Sequence, residues 1–188
     1  MSYSNNSSVN SLTQNDLLLK KLLEFYENNS NIDKMLNIIN GKTNISLRII
    51  DWFVTNYSKK YFTIIEKKDG IRLKVFNSYK LNLKAYSKKK FDPFCRWDRI
   101  TIPYNNNLSV QTTIGQLNFF KWALDNEIID YINNNYNLID NDMSIRNSTT
   151  KNKNQLIDNK TRKKREELSI NASKSIKKED VEIIIEFK

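Results

Sequence analysis

Two aspartates and the only cysteine share one short basic stretch, residues 80 to 100, "KLNLKAYSKKKFDPFCRWDRI". Asp92 and Asp98 lie six positions apart across a turn that holds Pro93. Paired carboxylates beside Lys and Arg are what holds Mg²⁺ in phosphodiester cleavage. Aspartate before proline is also a common turn opener, and Asp98, between Trp97 and Arg99, equally suits an ion pair or a surface position. Cys95 has cationic neighbours, Arg96 and Arg99, of the kind that lower a thiol pKa. The chain has no His, however, which removes the commonest general base and metal ligand together. Without such a base Cys95 is expected to pack as a small hydrophobe. Three glycines and one cysteine supply no GxxxxGKS or GxxxxGKT loop, no GxGxxG and no CxxC. The expectation is a protein with no chemistry of its own, no metal and no cofactor, with a metal-dependent nuclease at Asp92 and Asp98 as the distant alternative.

The cations of the same stretch point elsewhere. Lys80, Lys84 and Lys88 recur at i, i+4 and i+8, the spacing of one helical face, and Lys89, Lys90, Arg96 and Arg99 follow at once. Such a row can track a phosphate backbone, and an arginine can add bidentate contacts. The aromatics Tyr86, Phe91, Phe94 and Trp97 either stack on exposed bases or belong to the core, and the core reading is preferred. Charge is unevenly spread: of a net +10, residues 57 to 99 carry +9, residues 100 to 150 carry −3 and residues 151 to 180 carry +5. Clustered cations create a local potential that draws anionic partners. The second basic block contains "TRKKRE", where Arg162, Lys163, Lys164 and Arg165 read as a nucleic-acid arm, a nuclear-localisation signal or a solvated run.

The elements that position these residues follow from periodicity and turn signals. Residues 1 to 12 are polar and expected to be disordered. Leu17, Leu18, Leu22, Phe25 and Tyr26 repeat as one helical face. A second helix, Ile32 to Ile39, ends at Asn40-Gly41. Ser46 opens a third that runs to Lys59-Lys60. "YFTIIEK" and "IRLKVF" flank Asp69-Gly70 as a hairpin, and residues 77 to 89 form a helix. "RITIPY" and "LSVQTT" are short strands around an Asn loop. Thr113 and Gln116 match a capping box that opens the helix "QLNFFKWALDN", in which Leu117 and Phe120 face the core, and "EIIDYINNNY" continues as a further short helix. Residues 137 to 160 read as a polar linker and 161 to 188 as a basic arm plus the strand "VEIIIEF". A terminal strand this apolar needs a sheet, either the hairpin or another chain. The fold class expected is α+β: N-terminal helices, then a small, mostly antiparallel sheet with helices packed on it, joined by the last strand, the main domain spanning residues 13 to 136.

Composition bounds the rest. With 188 residues, one domain is expected. The 28 Asn against three Ala reflect codons rich in A and T more than the fold. One cysteine excludes an internal disulfide framework, and "MSYSNNSSVN" lacks the apolar run of a secretion signal. No stretch approaches the ~20 apolar residues of a membrane span. A soluble protein in a reducing compartment, with no membrane partner, is expected.

"SLRIIDWFVTNYSKK", "KAYSKKKFDPFCRWDRI", "TTIGQLNFFKWALDNEIIDYI" and "TRKKREELSINASKSIKKEDVEIIIEF" together resemble a family of uncharacterised proteins of nucleocytoplasmic large DNA viruses, most like those of the mimivirus group. The resemblance spans about residues 44 to 188, with the first forty outside it. It implies a viral setting, in the cytoplasmic factory of the host or in the virion, and it places residues 161 to 187 within the folded unit. It transfers no catalytic residue. The function expected is that of a non-enzymatic protein whose partner is DNA or RNA, held mainly by backbone contacts. The alternative is a structural virion or scaffold protein that meets other virion proteins or its own copies.

Overall fold

Local capping sets where the helices begin. The structure, a computed structural model, describes residues 13–96, 98–104, 108–155 and 177–180. Thr13 opens α1 (Gln14–Tyr26) with a reciprocal cap: its hydroxyl accepts the Asp16 N–H, and the Asp16 carboxylate accepts the Thr13 N–H at 3.0 Å. The Asn28 side chain caps α2 (Asn29–Ile39), which ends at Gly41 with φ 69°, as the Asn-Gly signal predicts. Ser46 caps α3 (Leu47–Trp52). The single helix expected from there to Lys60 is interrupted by a π-helical turn, Phe53–Tyr57, before the short α4 (Ser58–Lys60). Side-chain bonds to the backbone compete with the regular ladder here, from Thr55 Oγ1 to Asp51 O at 2.6 Å and from Ser58 Oγ to Val54 O at 3.0 Å. The widened turn keeps the adjacent Phe53 and Val54 both buried.

The predicted hairpin forms as β1 (Ile64–Glu66) and β2 (Arg72–Lys74), with Ile65 opposite Leu73 and Gly70 in the turn at φ 78°. Helix α5 (Val75–Lys90) follows without a loop. The strands β3 (Arg99–Tyr104) and β4 (Leu108–Thr113) pair antiparallel, Ile102 opposite Val110. β5 (Lys177–Asp180) lies antiparallel to β4 on its other side, Val110 opposite Lys178. Residues 177–180 thus join this second sheet. "VEIIIEF" itself lies outside the described residues.

Helix α6 (Ile114–Asp125) is the centre of the molecule. It touches α1, α5, β4 and α7 (Ile128–Asn134), and its buried residues, among them Leu117, Asn118, Phe119, Phe120, Trp122 and Ala123, point all around its axis. A helix surrounded in this way is apolar around most of its circumference, and its Lys121 and Asp125 pair with each other where it meets solvent. Tyr26 of α1 donates its hydroxyl to Leu117 O at 2.8 Å, which ties the N-terminal helices to it.

The expected linker from residue 137 is instead helix, α8 (Tyr136–Gln155). Its anchors, Tyr136, Ile139 and Met143, stand at i, i+3 and i+7, so an apolar seam is present although polar residues separate its members. Ile139 and Met143 are buried. Asp142, buried on the same helix, accepts from Trp52 Nε1 at 3.1 Å and Tyr61 OH at 3.3 Å and pairs with Lys60. Burial alone would raise its pKa, but the hydrogen bonds from Lys60 and Trp52 outweigh that and hold its carboxyl below the ordinary range. A polar residue that looked like linker is therefore the clasp that fixes α8 to α3 and α4. The architecture is α+β: helices around a buried α6, with two small antiparallel sheets.

Candidate nucleic-acid interface

The basic stretch is built on α5 and the loop that follows it. Lys80 and Lys84 are exposed one helical turn apart. The predicted row does not continue to Lys88, because Ser87 adopts φ 63°, ψ 164° and breaks the helix. Lys88 and Lys89 are exposed beyond that kink, and Lys90 is half-buried with its ammonium on Asn15 Oδ1. Equal spacing in sequence predicts a common face only while the backbone stays helical, and here it does not.

Residues 91 to 96 are clamped to the start of α6 by buried polar groups. Asn118 Nδ2 donates to Lys90 O at 2.9 Å, and Gln116 Nε2 donates to Pro93 O at 3.2 Å. The reciprocal capping box expected at Thr113 is consequently only half made. The Thr113 hydroxyl accepts the Gln116 N–H at 3.2 Å, while the Gln116 side chain turns to Pro93 and to the Thr112 hydroxyl. Gly115 permits the close approach, since a Cβ there would stand 2.8 Å from Lys89 O and 3.0 Å from the Cys95 Cβ. The thiol of Cys95 is buried and reaches Lys89 O at 3.4 Å, and Arg96, next in the chain, is exposed. Arg99, on β3, donates Nη1 to Gln111 Oε1 at 2.9 Å.

Three of the four aromatics, Tyr86, Phe91 and Phe94, pack on the core as the preferred reading had it. Phe91 is fully buried among Tyr79, Tyr86, Phe119 and Trp122, with ring centroids 5.6 to 6.2 Å apart. Tyr86 and Phe94 are partly buried against the same core. Trp97, and the basic-arm residues Arg162, Lys163, Lys164 and Arg165, lie outside the described residues.

The two candidate metal-holding carboxylates are engaged differently. Asp92 Oδ1 accepts the Phe94 N–H at 2.8 Å, the turn-opening bond of an aspartate before proline. Asp98 is exposed at φ 52°. Among the described residues no three of His, Cys, Asp and Glu gather as a metal-holding group, and no helix is long and apolar enough to cross a membrane. A cleft of about 310 Å³ beside α2 and α7 mixes Lys34 with Asp125, Glu127 and Asp130. It offers an anion no net attraction.

Sequence reading missed the acid at the back of the basic face. Asp51 is pushed up to about 6 by burial and then by the nearby charge of Asp92, with Lys88 opposing. Burial, and then the charges of Asp51 and Asp92, raise Tyr79 to about 12. Nothing in the spacing of residues 51, 79, 88 and 92 announces this, because tertiary packing alone brings them together. The sign for stability follows from linkage. The unfolded Asp51 loses its proton near 3.8 and the folded one near 6, so folding weakens as pH rises between those values and stays weaker above them. Asp51→Asn is expected to stabilise the protein by about 2 to 3 kcal/mol at pH 7 and by little at pH 3. Urea unfolding at the two pH values checks this, and an Asn variant less stable than wild type at pH 7 contradicts it.

Comparison with known proteins places the chain among viral proteins. The model of the Family of unknown function (DUF7197) matches residues 2–188, so the first forty residues, expected outside the resemblance, lie within it. The chain is similar to the uncharacterized protein L507 of Acanthamoeba polyphaga mimivirus, with 45% identity over 127 residues, 63% of this chain and 48% of the relative. It thus spans about half the length of that relative. No solved structure matches.

Proposed function

The chain belongs to the Family of unknown function (DUF7197), and from that premise we propose that it is a non-enzymatic DNA- or RNA-binding protein acting in the viral factory or the virion. The observation that carries this reading is the exposed cationic face of α5 and its loop, Lys80, Lys84, Lys88, Lys89 and Arg96, mounted on a loop that α6 clamps through Gln116, Asn118 and Gly115. A rigid mount holds the charges without the ordering cost of a flexible tail. Lysines and arginines so placed contact phosphate and read no bases, so binding is largely independent of sequence. The basic arm, Arg162 to Arg165, adds cations to the same task.

A second reading, a scaffold that meets other virion proteins or its own copies, draws on α8. Leu138 and Ile145 stand at i and i+7, and both are more than half exposed. Titrating labelled single- and double-stranded DNA and RNA across a salt series separates the two. Phosphate binding is expected to weaken by about one power of salt for each phosphate neutralised. Weak, salt-insensitive binding together with self-association in sedimentation favours the scaffold.

A further inference from the structure

Among the described residues the most exposed aromatic ring lies outside the stretch the sequence singled out. Phe62, between α4 and β1, is 86% exposed and sits at φ 48°, a left-handed conformation that a bulky side chain rarely adopts. Its neighbours fix its place. Thr63 donates its N–H to Ser58 O at 3.1 Å, and Val75 donates its N–H to Thr63 O at 3.2 Å. This second bond, one residue beyond the β1–β2 register, draws the segment that carries Phe62 towards the start of α5, where Phe76 lies. Around Phe76 stand two ammonium groups, Lys59 and Lys80, each 5.6 Å from the ring centroid. Lys74 is exposed opposite Ile64, and Lys84 follows Lys80 one turn along α5.

A bare ring in a region where lysines cluster suits a partner that has both flat apolar faces and negative charge. We propose that Phe62 is a stacking platform for an unpaired base and that Lys59 and Lys80 take the flanking phosphates, so that the protein prefers single-stranded nucleic acid. This rests on the proposed binding role of α5 and names its substrate class. In a duplex the base faces are already stacked on one another and leave Phe62 nothing to cover. The exposed lysines of this region, Lys59, Lys74, Lys80 and Lys84, also disfavour a second copy of this surface, which would bring like charges together.

The test compares wild type, Phe62→Ala and Phe62→Trp by fluorescence anisotropy on a 20-nucleotide oligothymidylate, an abasic oligomer of the same length and a 20-base-pair duplex. Losing one stacked base is expected to weaken oligothymidylate binding by about 5- to 100-fold in Phe62→Ala. Binding to the abasic oligomer and the duplex, and the melting temperature, are expected to stay at wild-type values, and Phe62→Trp is expected to restore oligothymidylate affinity. Wild-type oligothymidylate binding by Phe62→Ala overturns the platform while leaving the α5 reading in place. Phe62→Ala that keeps nucleic-acid affinity but loses self-association assigns the ring to a protein contact and overturns it too. Wild-type protein that binds none of the three probes overturns both.

Discussion

Phe91→Ala is expected to cost about 3 to 5 kcal/mol of folding stability, because the ring is wholly buried and the cavity it leaves is walled by Tyr79, Tyr86, Phe119 and Trp122. Those rings belong to α5 and α6, so the substitution also loosens the contact on which the loop of residues 91 to 96 is mounted. For a chain of this size the loss corresponds to a fall in melting temperature of about 6 to 20 °C. Nucleic-acid binding is expected to fall only as folded protein falls. Thermal and urea unfolding measure the first effect. A change below about 1 kcal/mol would mean that the ring is not in the core.

Replacing Lys80, Lys84 and Lys89 together with Gln is expected to do the reverse. All three are exposed, and Gln keeps much of each stem, so the melting temperature should stay within the ordinary scatter of surface substitutions. Binding is expected to weaken roughly 100-fold near physiological salt, alike for every sequence, because each lost phosphate contact forfeits the release of one counterion. Lys88 and Lys90 are poorer choices for this variant: the first lies in the field of Asp51, and the second is occupied with Asn15. Loss of affinity for some sequences and not others would instead indicate contacts to base edges.

What could be read in the sequence was whatever short-range physics controls. The caps at Ser46 and Thr113, the Asn40-Gly41 stop and the Asp69-Gly70 turn each depend on a few adjacent residues, and each lies where the pattern placed it. The α+β class followed from those elements. The features that escaped depend on distant partners. Residues 137 to 155 resemble a linker until Ile139, Asp142 and Met143 are seen against α3 and α4. The kink at Ser87 has no glycine or proline to announce it, and it removes Lys88 from the row that equal spacing implied. Gln116 met the spacing of a capping box yet bonds Pro93, because the close approach at Gly115 brings that carbonyl within its reach. For the site, the basic composition of residues 80 to 99 was legible, whereas the joining of Lys59 to Lys80 across the Phe76 ring was not, since 21 positions separate them in the chain.

The claim that α5 and its loop hold phosphate is tested most directly by the salt slope of one duplex titrated with the wild type and with the Lys80, Lys84 and Lys89 to Gln variant. Plotting log Kd against log salt, the account predicts two straight lines whose slopes differ by about 2.7, the share of three phosphate contacts. Parallel lines, with the variant as tight as the wild type at every salt concentration, would contradict it and leave these lysines as a solvated surface.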